Sequence, residues 1–150
     1  MKSIPAIVLA VFTSFSAIAF AADGLIAVKS PYSVGQTLDR LESGAKQRAL
    51  KVFARIDHAA GALSVGKTLR PTELLVFGNP QGGTPLMECA QSAGIDLPLK
   101  ALAWQDDQGQ VWLGYNDPAH LARRHETPNC AAVAPISKAL SGLVMEAVSR

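Results

Sequence analysis

Cysteine is scarce in this sequence, with two among 150 residues. The charges of the chain nearly cancel, since it has 14 basic and 12 acidic side chains. Two cysteines cannot form the disulfide framework of a small secreted scaffold. A net charge of +2 provides no strong field for nucleic acid. Charged residues make up only 17% of the chain and apolar residues 49%, which excludes an intrinsically disordered protein. The length predicts one domain with a buried core.

The start of the chain has the pattern of a secretory signal peptide. A basic residue precedes an unbroken nonpolar run, Ile4–Phe12, and small residues stand at positions −3 and −1 of a cut after Ala21. We expect residues 1–21 to be removed and residues 22–150 to form a single exported domain, most simply in a bacterial periplasm, with no membrane insertion after cleavage. The alternative is an uncleaved anchor, which the short apolar core disfavours.

Apolar spacing predicts alternating strands and helices. Ser33–Gln47 is an amphipathic helix with Ser33 as N-cap and Gln36 completing a capping box. Leu50–Asp57 alternates as a half-buried strand, and Glu73–Phe77 is apolar enough for a central strand covered on both faces. The other expected strands are Gly24–Lys29, Leu97–Gln105 and Val111–Tyr115. The other expected helices are His58–Val65, one that starts at Thr84-Pro85, Pro118–His125 and a last one across Ile136–Ala147.

The order of these elements predicts an α+β fold. Consecutive strands are joined without long crossovers, so the sheet should be largely antiparallel with helices packed on one face. Asp106–Gly109 has the composition of the hairpin turn between the last two strands.

Four motifs in this order closely resemble the family called domain of unknown function 302. They are Leu74–Pro80 (LLVFGNP), Gly83–Met87 (GTPLM), Leu97–Lys100 (LPLK) and Trp112–Pro118 (WLGYNDP), and the resemblance runs from about Leu25 to His125. It implies a small domain of the TATA-binding-protein-like class, with a β-α-β-β-β-β-α framework and extra short helices. The family name implies no reaction, and the fold analogy does not indicate DNA binding.

His58 is the first candidate for chemistry. It follows a predicted strand, stands beside Asp57 and matches a position of the family pattern. A carboxylate beside an imidazole fixes its tautomer and raises its basicity. The alternative is a histidine that caps its helix or bonds a backbone carbonyl.

The segment Gly78–Thr84 is a second candidate, because it leads into a helix whose free N–H groups attract an anion. Asn79 and Thr84 are its testable side chains, and Asn116 is a further ligand-binding candidate near a predicted cap. The segment matches neither a phosphate-binding P-loop nor a dinucleotide fingerprint. A tight turn that caps a helix is the structural alternative.

Cys89 and Cys130 are candidates for a disulfide, since export permits oxidation, but two buried free thiols fit the pattern equally well. His120 and His125 are five residues apart, a spacing that suits metal binding on one helix poorly, so no metal site is predicted. No cofactor is identified, and no Ser-His-Asp arrangement is visible along the chain.

These observations favour a module that binds a small molecule, a metal or a protein partner, and not nucleic acid. Two alternatives stay open. One is an enzyme that uses His58 as acid or base while the amides of residues 78–84 hold an anion. The other is an assembly protein that forms homodimers.

Overall fold

A computed structural model describes residues 19–150 of the chain, with side chains from Asp23 onward. The apolar run Ile4–Phe12 of the expected signal peptide lies outside the described residues. Six strands are described: β1 (Ala19–Ala22), β2 (Leu25–Ser30), β3 (Lys51–Asp57), β4 (Thr72–Gly78), β5 (Leu99–Gln105) and β6 (Val111–Asn116). The helices are α1 (Val34–Gln47), α2 (His58–Ser64), α3 (Pro80–Cys89), α4 (Pro118–Arg124) and α5 (Val133–Val148), with a 3₁₀ helix at Gln91–Ile95.

The strands form one antiparallel sheet in the order β1-β2-β6-β5-β4-β3. The predicted α+β class and antiparallel sheet are confirmed. β1 lies at one edge, and a cut after Ala21 would remove three of its four residues. None of the helices in residues 19–150 is both long enough and apolar enough to cross a membrane.

Helix α1 begins as its sequence predicts. The Ser33 hydroxyl accepts a hydrogen bond from the Gln36 N–H at 3.3 Å, and the Gln36 side-chain oxygen accepts one from the Ser33 N–H at 3.2 Å. This capping box satisfies two backbone donors that the helix itself leaves free.

The hydrophobic core lies between one face of the sheet and the helices α1 and α5. Leu38 and Leu41 of α1 and Leu143 of α5 are almost completely buried against Leu75 and Phe77 of β4. Removal of this apolar surface from water is the main stabilising contribution, at roughly 25 cal/mol per Å².

A β-bulge in β3 changes which side chains face the core. The register places Val52 opposite Phe77 and then skips Phe53, so the alternation expected for Leu50–Asp57 is wrong beyond this point. Val52 and Phe53 both lie on the helix side, whereas Ala54 and Ile56 lie on the opposite face of the sheet. Ile56 is accordingly 42% exposed, although regular alternation would place it on the same face as Val52.

Strand β4 is fully buried on one face only, which corrects the expectation of a strand covered on both. Leu75 and Phe77 are fully buried in the core, whereas Leu74 and Val76 on the other face are partly exposed. The continuous apolar run reflects half-buried positions on the open face and does not require a second helical layer.

The turn between β5 and β6 is organised by Asp106. Its carboxylate accepts hydrogen bonds from the Trp112 indole N–H at 2.8 Å and from the backbone N–H groups of Gln108 and Gln110 at 3.0 and 2.9 Å. These donors favour the ionised form, and the Trp112 bond is the main cause that lowers the pKa of Asp106. Gly109 completes the turn in the left-handed region at φ 82°.

We predict a pH-dependent contribution of Asp106 to stability. A carboxylate with a lowered folded pKa stabilises the protein above its unfolded pKa of about 3.9 and loses this effect as pH falls through the folded value. The stability difference between wild type and Asp106→Asn should therefore be present at neutral pH and shrink in acid. Urea midpoints measured from pH 7 downward test this. Asp107→Asn removes a neighbouring acid but none of the three hydrogen bonds and is the matched control. A difference in stability between wild type and Asp106→Asn that stays constant as pH falls contradicts the prediction.

An apolar cleft between α3 and α5

A cleft of about 860 Å³ opens between α3, α5 and the end of the sheet where β4 ends and β5 begins. Its walls are mostly apolar side chains from four parts of the chain. Those that define it are Phe53, Phe77, Met87, Leu97, Ile136 and Leu143. The cleft thus lies beside the main core and shares Phe77 and Leu143 with it.

Helix α3 forms one wall, and it starts five residues earlier than Thr84-Pro85 predicts. Asn79 is the N-cap, and its side-chain oxygen accepts a hydrogen bond from the Gly82 N–H at 2.8 Å. Pro80 occupies the first helical position, where its missing N–H costs nothing. Thr84 therefore lies inside the helix. The two glycines at 82 and 83 concealed this start, since glycine is unfavourable within helices.

The approach of α3 to the next segment explains one of these glycines. A Cβ at Gly83 would lie 3.4 Å from the Leu97 side chain, so a larger residue would crowd this wall of the cleft. The backbone of α3 therefore comes close to Leu97 because no side chain intervenes.

A second, smaller core holds α3 against the segment that leads into α5. Leu86, Ala93 and Cys130 are buried together, with Ile136 of α5 packed against them. Cys89, the last residue of α3, is joined to Cys130 in a disulfide with 5.9 Å between the Cα atoms. The bridge that the sequence left open is therefore present in the structure, and it ties one wall of the cleft to the base of the other.

The charges near the cleft are compensated. Arg48 lies at its rim, donates to the Gly44 carbonyl at 3.1 Å and forms an ion pair with Glu146 at 2.5 Å. The Arg48 guanidinium is the main cause that lowers the pKa of Glu146. Because Arg48 already has these partners, the cleft offers apolar contact and few polar groups at its edge.

The structure separates the candidates that the sequence grouped together. Asn79 and Thr84 line the cleft. His58 starts α2, directly after the last residue of β3. At this end of β3, Asp57 is opposite Glu73 of β4. At the other end, Lys51 is opposite Gly78, where the segment 78–84 begins. Seven strand residues span about 20 Å. The expected grouping of His58 with residues 78–84 is wrong, because the two lie at opposite ends of the sheet.

His58 and Asn116 are both exposed and lie outside the cleft lining. Asp57 caps α2 by accepting from the Ala60 N–H at 2.9 Å, so its carboxylate serves the helix backbone. Asn116 ends β6 opposite Leu25. Neither residue converges with other side chains that carry chemistry in the part of the chain described.

Two further histidines have separate surroundings. The His120 ring packs over Gly24, where a Cβ would clash with it, and its Nδ1 lies 3.7 Å from Asp23. His125 is hydrogen-bonded on both nitrogens, to Ser92 and to Asp96. Among residues 19–150 no group of three or more His, Cys, Asp or Glu side chains is placed to hold a metal ion.

Sequence reasoning identified Asn79 and Thr84 but not the apolar lining of the cleft. It also missed the arrangement of Ser92, His125 and Asp96, because 33 residues separate Ser92 from His125. The cleft was not visible either, since its wall residues follow the same apolar spacing as ordinary core residues. No local signal could have distinguished them.

Comparisons with known proteins agree with this fold. A family model described as a domain of unknown function, DUF302, matches residues 26–144. A crystal structure of an uncharacterized conserved DUF302 protein from Bacillus stearothermophilus is similar with a TM-score of 0.76 at 23% identity, covering 84% of this chain and 99% of that one. This likeness shows a shared fold.

The chain is also similar to part of two longer proteins. It is 53% identical over 102 residues to a protein named fluoride-specific ion channel FluC 1 from Brucella suis biovar 1 (strain 1330), covering 68% of this chain and 40% of that protein. The same identity and length relate it to fluoride-specific ion channel FluC 1 of Brucella abortus biovar 1 (strain 9-941), of which 38% is covered. The chain thus spans about two fifths of these relatives.

Proposed function

We propose a function for this chain, which belongs to the DUF302 family of unknown function. It binds an uncharged, apolar small molecule in the cleft between α3 and α5. The observation that carries this proposal is the apolar cleft of about 860 Å³. Binding sites for small molecules are concave, mostly apolar and about 300–1,000 Å³ in volume, with a few polar groups that orient the ligand.

The ligand class follows from the lining. Phe53, Met87 and Ile136 offer apolar contact, and Asn79 and Thr84 provide polar groups at one end. An anion would need a free cationic partner, but Arg48 at the rim is already paired with Glu146. Burial of an unpaired charge is costly, so a neutral ligand suits this cleft better than a charged one.

We propose further that this binding takes place outside the cytoplasm. The signal-peptide pattern before Ala22 supports export, and the Cys89–Cys130 disulfide suits an oxidising compartment. Mass spectrometry of protein from a periplasmic fraction should find Ala22 at the N-terminus. Full-length protein retained in the cytoplasm would refute this part of the proposal.

The binding test uses the neutral fluorescent probe N-phenyl-1-naphthylamine with the mature protein. Ala139 is an exposed residue of α5 that lines the cleft, so Ala139→Trp should fill the site while the helix remains intact. We expect the affinity for the probe to fall at least about tenfold, which corresponds to a loss of about 1.4 kcal/mol.

Ala134→Trp is the matched control, because Ala134 is also exposed on α5 but lies outside the cleft lining. It should bind the probe as the wild type does. Equal affinities for the wild type and Ala139→Trp would place the probe elsewhere and refute the proposed site, as would a wild type that binds no probe.

The similarity to proteins named fluoride channels favours a second proposal, a companion role beside a fluoride channel. Deletion of this gene from its host should lower the sodium fluoride concentration that the cells tolerate. The wild-type copy should restore growth, whereas unchanged tolerance in the deletion strain would refute this role. This readout is independent of probe binding in the cleft.

A further inference from the structure

We propose a second site, distinct from the cleft: Ser92, His125 and Asp96 form a nucleophile, a base and an orienting carboxylate that make Ser92 an acceptor in acyl transfer. The Ser92 hydroxyl lies 2.9 Å from His125 Nδ1, and His125 Nε2 lies 2.7 Å from the Asp96 carboxylate. A nucleophile bonded to a base, which is oriented by a third group, is the arrangement that activates a serine.

The proton positions follow from what each group can do. An ionised carboxylate only accepts hydrogen bonds. In the neutral ring Nε2 therefore carries the proton, and the Nε2–H group donates a hydrogen bond to Asp96. Nδ1 is then left with a lone pair, and the Ser92 O–H donates to it. The ring therefore presents its basic nitrogen to the hydroxyl, as general-base catalysis requires.

The surroundings hold this geometry in place while leaving the nucleophile accessible. The His125 side chain is 8% exposed and that of Asp96 11%, whereas Ser92 is exposed. The second oxygen of Asp96 accepts from Arg124 Nη1 at 2.9 Å, which fixes the carboxylate. His125 itself is the C-cap residue that follows α4, and its N–H donates to the Leu121 carbonyl at 3.1 Å.

The reaction is complete without a cofactor. With p-nitrophenyl acetate, the Ser92 Oγ bonds to the carbonyl carbon while its proton passes to His125 Nδ1. The bond to the p-nitrophenyl oxygen then breaks, and p-nitrophenol leaves with the proton from His125, so the ring is neutral again. Water then gives a proton to His125 and attacks the acetyl group on Ser92. The bond to Oγ breaks, Ser92 regains its proton from His125, and acetic acid leaves and ionises in water. The substrate class is thus an activated ester.

A fluorophosphonate probe tests the nucleophile directly in the folded, mature protein. Its phosphorus bonds to an activated serine Oγ and fluoride leaves, so peptide mass spectrometry locates the modified residue. We expect label on Ser92. Ser141 is the internal control, because it is partly exposed and its hydroxyl donates to the Lys138 carbonyl instead of a base. Labelling of Ser92 no faster than Ser141 overturns the proposal without any variant.

Variants then assign the roles. General-base catalysis contributes about 100-fold to 10,000-fold, so His125→Ala should slow labelling of Ser92 at least 100-fold, and added imidazole should restore part of the rate. A folded His125→Ala that labels at the wild-type rate refutes the role of His125. Circular dichroism verifies folding, and if this variant does not fold, the comparison of Ser92 with Ser141 still decides the proposal.

Asp96 is a positioning residue, and its test measures the tautomer of the His125 ring. Asp96→Asn should slow labelling and change the ¹⁵N chemical shifts of the His125 ring, because an amide can also donate and so no longer fixes the proton on Nε2. An unchanged tautomer together with an unchanged labelling rate in the folded variant would show that Asp96 does not orient His125.

Discussion

Replacement of Phe77 by alanine is expected to lower the free energy of unfolding by about 3–5 kcal/mol. Phe77 is fully buried on β4, where it packs in the main core and also forms part of the cleft. The variant loses the burial of an aromatic ring and leaves a void beside Leu143, which cannot collapse completely because the sheet and α5 are fixed by their other contacts. Urea denaturation of the wild type and Phe77→Ala gives the difference.

Phe53 provides the matched control for this prediction. It lines the same cleft, but it is 49% exposed and stands at the bulge of β3. Phe53→Ala should cost less than about 1 kcal/mol of stability, since half of the ring is already in water. It should nevertheless weaken binding of N-phenyl-1-naphthylamine, because it removes a wall of the cleft. Equal losses of stability for the two variants would contradict this division between core and cleft wall.

The fold could be predicted where local signals agree. Ser33 and Gln36 cap α1 as expected, and the hairpin at Asp106–Gly109 pairs Trp104 with Trp112. Such elements depend on residues three or four apart, or on one tight turn, so the sequence contains all the information that they need. The family resemblance, which the match over residues 26–144 confirms, added the framework, and the observed order of strands and helices agrees with it.

The errors lie where tertiary contacts override the local pattern. The bulge at Phe53 moves Ala54 and Ile56 to the open face, and alternation alone does not reveal where one residue is skipped. Helix α3 starts at Pro80 despite the two glycines in its first turn, because Asn79 caps it. Both features build the cleft, so the least predictable parts of the fold are those that shape the candidate site.

The side-chain arrangements were beyond sequence reasoning for a different reason. Ser92 and Asp96 lie around one short 3₁₀ helix, whereas His125 follows a helix that the chain reaches only after a complete hairpin. Their contact depends on the tertiary packing that brings the end of α4 to this 3₁₀ helix. His58, by contrast, stood beside a carboxylate in the sequence, but that carboxylate caps its own helix. Neighbours in the sequence were thus a poor guide to neighbours in space.

Loss of the Cys89–Cys130 disulfide is the second change expected to have a large effect. The bridge spans 41 residues, and the chain-entropy model gives about 4 kcal/mol for a loop of this length. The double variant Cys89→Ala/Cys130→Ala should therefore melt roughly 12–16 °C lower than the wild type, as estimated for a domain of this size. Alanine avoids leaving a buried hydroxyl at position 130, where the wild-type side chain is almost completely buried.

The disulfide should also matter for the cleft. Apart from the bridge, α3 is tied to the start of α5 by the small core around Leu86, Ala93 and Ile136. Without the covalent link, the wall formed by α3 should move more freely, and the affinity for N-phenyl-1-naphthylamine should fall at temperatures where the protein is still folded.

Reduction of the wild type separates the bridge from the substitutions. Dithiothreitol should lower the melting temperature of the wild type to that of the double variant and leave the double variant unchanged. Thiol titration in denaturant should detect no free thiol in the oxidised protein and two after reduction. Two free thiols before reduction would contradict the bridge itself. A wild type whose bridge is reduced, but whose melting temperature and probe affinity are unchanged, would show that the small core alone holds α3 in place.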